Sequence, residues 1–66
     1  MQTNKLKAKL VERGINVETL ADLIGVERST LYRKLNNGEK ITLGEAKRIK
    51  DALDMTAQES NEIFLA

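Results

Sequence analysis

The chain contains no cysteine and no histidine. It can therefore form no disulfide, and the usual zinc ligands are missing. The same absence removes the common base and nucleophile pairs of covalent catalysis. Asp and Glu are spread along the sequence without convergence, no glycine-rich phosphate loop occurs, and Ser29 has no base near it in sequence. The chain is expected not to be an enzyme and to need neither a metal nor a cofactor. It also lacks proline, internal repeats and low-complexity tracts, and no segment alternates at the period of a strand. No apolar run approaches the roughly 20 residues of a membrane span, and no signal peptide is evident, so a cytoplasmic location is expected.

What remains is 66 residues with a net charge of +1. A chain of this length makes one domain, residues 1–66, with a modest core, and is marginally stable unless it packs well or dimerises. The charge is unevenly placed. The first fifty residues carry all 11 basic residues against six acids, a balance of +5, whereas the last sixteen carry four acids and no base. A basic body with an acidic end suggests one face for phosphates and another for something else.

The period of the apolar residues predicts an all-α, compact five-helix domain. Thr3 or Asn4 is expected to cap a first helix running to about Arg13, with Leu6 and Leu10 inward and Lys5, Lys7, Lys9 and Arg13 around the rest. Gly14 ends it, and Ile15 anchors the link to the core. Asn16 caps the second helix, which places Leu20, Ala21 and Ile24 on one side. Gly25 breaks that pattern and Val26 plugs the turn. A third helix begins at about Arg28, has Leu31 and Leu35 as its inward ridge, and stops at Asn36-Asn37-Gly38. Thr42 and Glu45 form a capping box for a fourth helix with Ala46, Ile49 and Leu53 inward. Thr56 and Glu59 form another for the last helix, preceded by Met55 as a hydrophobic staple.

The stretch Glu18 to Asn37 thus reads as two short helices joined by a tight turn, with small Ala21 where they cross. This is the helix-turn-helix pattern, whose second helix is offered to the DNA major groove. Ala21, Gly25, Val26 and Leu31, with the run RSTLYRKLNNG from Arg28 to Gly38, resemble the lambda-repressor-like helix-turn-helix family, also called XRE or Cro/repressor. The resemblance covers roughly Leu6 to Leu53, and small regulators of phages and prophages look most similar. Two positions depart from the family pattern. Glu27 stands where a Ser or Thr usually caps the recognition helix, and Lys34 stands where many members carry an apolar residue.

With Leu31 and Leu35 inward, steps of 100° turn Arg33 almost directly outward, with Ser29, Thr30, Asn36 and Asn37 on the same broad half. Residues at the amino end of such a helix meet base edges. Arg28, Ser29, Thr30 and Arg33 are therefore the candidates for base contact. An arginine fork suits guanine O6 and N7, Ser29 can read either kind of base, and the Thr30 methyl can touch thymine. Asn16, Tyr32, Asn36 and Lys40 are the candidates for backbone contact; for Asn16 the resemblance and the free N–H groups of its helix both favour a phosphate. Competing roles stand beside these. Arg28 can pair with Glu27 or Asp22, Tyr32 can pack partly into the core, and Lys34 reads as a surface or phosphate-facing lysine.

Together these features lead to the expectation of a sequence-specific, double-stranded-DNA-binding transcriptional regulator in the bacterial cytoplasm or nucleoid. The resemblance implies a phage or prophage Cro/repressor-type protein that occludes a promoter by docking its third helix on an operator. A ligand-sensing or self-cleaving second domain is not expected at this length. A free-standing regulator and an excised amino-terminal domain of a longer repressor both remain open. A homodimer on DNA is expected, because one domain of this size reads only a few base pairs. Ile63, Phe64 and Leu65 are the candidate shared patch, unless they fold back on the first helix. The alternative class is a protein-interaction module (antitoxin, antirepressor or adaptor) on the same fold. Neither a membrane nor a small-molecule substrate is an expected partner.

Overall fold

The computed structural model describes residues 1–65, which form five helices: α1 Thr3–Arg13, α2 Val17–Ile24, α3 Arg28–Asn37, α4 Leu43–Ala52 and α5 Ala57–Phe64. None of the described residues lies in a strand, and none of the helices they form is long and apolar enough to cross a membrane. The all-α class and the five elements agree with the apolar periodicity.

The middle of the fold is α2, which packs against both α3 and α4; α5 in turn joins α4 and α1. The core draws Leu6 and Leu10 from α1, Leu20, Ala21 and Ile24 from α2, Leu31 and Leu35 from α3, and Ile49 from α4. Leu53, Met55 and Ile63 close it from the other end. Those of α1 to α4 and Leu53 are placed inward by spacing, because positions three and four apart share one helix face; Met55 was expected as a hydrophobic staple, and Ile63 in a shared patch or folded back on the first helix.

Local chemistry sets most helix ends as the residues dictate. The Asn16 side chain accepts from the Thr19 N–H at 2.8 Å. Both capping boxes form, with the Thr42 and Thr56 N–H groups donating to Glu45 and Glu59 at 2.9 Å. Gly25 adopts φ +73° at the end of α2, a left-handed conformation costly for any residue with a Cβ. This lets the Val26 N–H turn back to the Ala21 carbonyl at 3.0 Å and starts the next helix almost at once.

Three elements differ from expectation. The residue before α1 is Gln2, and neither Thr3 nor Asn4 caps it. The Gln2 N–H donates to the Ile63 carbonyl at 2.7 Å, so the chain enters α1 by pairing with α5. Lys9 is buried rather than a solvated lysine: it sits at 9% exposure between Glu12 at 3.1 Å and Glu59 of α5. Arg13 stays exposed but is not merely solvated, its Nε donating to the Leu53 carbonyl at 2.9 Å and Nη2 to that of Asp54 at 3.2 Å. A cation at that helix end satisfies carbonyls left without intrahelical partners. It steadies a turn in which Asp54, not a glycine, takes positive φ at 51°.

Candidate nucleic-acid interface

The position of α3 is fixed from three sides. Its ridge, Leu31 and Leu35, is buried at 1% and 2% exposure. Opposite α4, the Lys34 ammonium lies 3.0 Å from both Glu45 carboxylate oxygens, and this pair is largely screened from water. Glu45 already accepts from Thr42, so one carboxylate both starts α4 and ties α3 to it. That Thr42 N–H bond, reinforced by Lys34, holds the Glu45 carboxyl below its usual range against the opposing effect of burial. Lys34 is therefore a tether and not the surface or phosphate-facing lysine expected. From α4, Arg48 Nη1 donates to the Ile24 carbonyl at 2.9 Å. This positions a cation at the carbonyl end of α2, immediately before the Gly25 turn.

Held in this way, α3 turns its other half outward. Ser29, Arg33, Asn36 and Arg28 are exposed, while Thr30 is half-buried on the flank and Tyr32 sits at the boundary at 39% exposure. Lys40, in the connection to α4, is exposed, and Asn16 lies exposed at the start of α2. The Glu27 side chain makes no capping bond, so the start of α3 presents backbone N–H groups without a side-chain acceptor from that residue.

Carboxylates already meet the polar side chains of this face. Asp22 of α2 receives Arg28 through Nη2 at 2.7 Å and Nε at 3.3 Å. Glu18, one turn earlier on α2, accepts from the Tyr32 hydroxyl, one turn later on α3. The bond from Arg28 lowers the Asp22 pKa and the reciprocal bond raises that of Arg28. Likewise the Tyr32 hydrogen bond lowers the Glu18 pKa, and Glu18 raises that of Tyr32. Farther along, Arg33 Nε lies 3.2 Å from Glu39, which also accepts from Asn37 at 3.4 Å. Among the described residues Lys5, Lys7, Lys40, Lys47 and Lys50 make no ion pair.

The Arg28–Asp22 pair was one of the alternatives visible in the sequence. The Glu18–Tyr32 and Arg33–Glu39 contacts were not anticipated. A signal for the first existed: Glu18 and Asp22 are four apart on one helix, Arg28 and Tyr32 four apart on the next, and a tight turn brings such pairs opposite each other.

A tightly turned helix pair with a buried ridge and an outward row of arginine, serine and asparagine is built to present one helix to an extended ligand. Residues 5–62 match the family model for the Cro/C1-type HTH DNA-binding domain. The chain belongs to this family. No curated protein and no solved structure matches it significantly. As a Cro/C1-type domain it belongs to a family of DNA-binding regulators rather than of enzymes, and DNA is the partner that membership implies.

The candidate dimer residues are divided by the fold. Ile63 is 3% exposed and belongs to the core, so it has no surface to offer while the Cro/C1-type domain is folded. Phe64 is half-buried and Leu65 stands out at 73% exposure. These last two line a groove of about 470 Å³ between α4 and α5, with Ile41, Leu43 and Ala46 opposite. Leu43, at 85% exposure, was not anticipated as part of this patch.

Proposed function

We propose that the domain is a sequence-specific transcriptional regulator of the phage or prophage Cro/repressor type, acting in the bacterial cytoplasm or nucleoid. In this mechanism α3 enters the major groove of an operator overlapping a promoter, and RNA polymerase is excluded. Arg28, Ser29, Thr30 and Arg33 meet base edges, and Asn16, Tyr32, Asn36 and Lys40 meet the backbone. One observation carries the proposal: the outer half of α3 has no packing role, yet three separate anchors fix its direction (Leu31 and Leu35, Lys34–Glu45, and the Arg48-capped turn). Rigidity of that kind serves a surface that must match a partner's spacing.

We also propose that two copies pair through the α4–α5 groove, Leu43 and Leu65 of one copy entering that of the other. Dimeric helix-turn-helix domains bind half-sites about one helical turn apart, which is the spacing a two-fold contact of this kind has to give. Selection from a random duplex library at roughly physiological salt tests both ideas. Recovery of a palindrome with half-sites about ten base pairs apart supports them. Arg33→Ala should cost about 1–3 kcal/mol and relax one base position, whereas Lys40→Ala should weaken all sequences alike and reduce the salt slope by about one. Enrichment of no sequence would point instead to the interaction-module alternative.

A further inference from the structure

We propose that Asp22 is a positioning residue for base readout: it holds the Arg28 guanidinium side-on, so that the terminal fork reads one guanine of the half-site. The inference rests on the DNA-reading function proposed above. Its basis is which donors the carboxylate takes. Asp22 contacts Nε at 3.3 Å and Nη2 at 2.7 Å, the lateral edge of the guanidinium. Both N–H groups of Nη1 and the second of Nη2 are left, and one from each nitrogen forms the end-on pair that matches guanine O6 and N7. Unpaired, a long arginine at the start of α3 could swing to a phosphate, which carries no sequence information.

A second rung restricts the same end of the helix. Glu18 and Asp22 lie one turn apart on α2 and face Tyr32 and Arg28, one turn apart on α3. The contacts therefore orient both side chains from the α2 side, on a helix whose roll Leu31, Leu35 and the Lys34–Glu45 pair already set. Both side chains of the Arg28–Asp22 pair are more than half exposed, 59% and 58%, so it adds little to holding the fold together. Its effect falls on binding. The Asp22 charge also opposes any phosphate brought to this point, which penalises docking by phosphate contact alone. Near neutrality of the whole chain, at +1, suits a domain that limits indiscriminate attraction to DNA.

The experiment measures affinities of the wild type, Asp22→Ala, Asp22→Asn, Arg28→Ala and the Asp22→Ala/Arg28→Ala double variant. The probes are the duplex recovered by selection, its single-base variants and a mixed-sequence duplex, with helicity checked by circular dichroism. Arg28→Ala should relax one base position. Asp22→Ala should lower discrimination at that same position roughly tenfold, within what one bidentate pair provides. It should leave binding to the mixed-sequence duplex as tight or tighter, and the double variant should discriminate no worse than Arg28→Ala. Asp22→Asn, which keeps the side-chain size, should lie between. Unchanged base preference in Asp22→Ala, or an equal loss on every sequence, overturns the assignment while leaving DNA reading intact. A wild type that enriches no sequence removes both.

Discussion

Replacing Lys34 by methionine should destabilise the domain by about 1–2 kcal/mol, although methionine keeps an unbranched apolar stem only one atom shorter. The ammonium meets both Glu45 oxygens at 3.0 Å, and the side chains are 17% and 13% exposed. Hydrogen bonds to charged groups contribute about 1.5–3 kcal/mol. The low end applies because Glu45 keeps its bond from the Thr42 N–H at 2.9 Å. What is lost is the neutralisation of a mostly buried carboxylate. Adding Glu45→Gln should restore most of the loss, since glutamine still completes the capping box and no unpaired charge remains. Urea unfolding of the wild type, both single variants and the double variant gives the coupling energy directly. In thermal melts the single Lys34→Met change should appear as a fall of about 4–16 °C. The loss should shrink in acid. Glu45 is held below its ordinary value of 4.5, so the stability it contributes is present above that value and disappears as pH falls through its folded value. A Lys34→Met variant as stable as wild type, or a double variant as weak as the two single losses combined, would refute the tether.

Gly25→Ala should cost about 1–2 kcal/mol in chemical unfolding, because φ is +73° although a Cβ would meet nothing nearer than 3.9 Å; no loss would show that the turn is not held in this conformation. Lys9 holds the Glu59 pKa down to about 2. Its contribution should be complete above the ordinary 4.5 and fade toward pH 2, so Glu59→Gln should flatten the wild-type stability curve in that window in melts across pH. An unchanged slope would dismiss the Lys9 pair as a source of acid sensitivity. Leu43→Glu and Leu65→Glu, both at exposed positions, should abolish the proposed dimerisation in sedimentation equilibrium and leave the monomer folded; self-association unaltered by these changes would exclude the groove as its site.

Residues whose environment is set by near neighbours were legible in the sequence. Leu31 and Leu35 declare the buried side of α3 by a four-residue interval, Gly25 declares the break, and Thr42 and Thr56 declare their helix starts through glutamates three residues on. The cations were less legible. Lys9, Arg13 and Arg48 read as surface charge, yet each reaches a group 50, 40 or 24 residues away that only tertiary packing brings near. The apparent basic body is thereby reduced, and the acidic end is in part the partner of Lys9. At the last helix, successive residues differ by about 100° in direction, so an apolar triplet could not all face one way. Ile63 turns to the core, Phe64 to its rim and Leu65 to solvent. The outward face of α3 was visible from the ridge, but its carboxylate partners depended on how closely α2 and the connection to α4 approach it.

The most direct measurement is amide chemical-shift mapping of the domain titrated with a duplex carrying the selected site. If α3 reads the groove, the largest changes should fall on Arg28, Ser29, Thr30 and Arg33, with smaller ones at Asn16, Tyr32, Asn36 and Lys40. Changes concentrated at Leu43, Phe64 and Leu65, with α3 unaffected, would contradict the assignment of its outer face to DNA.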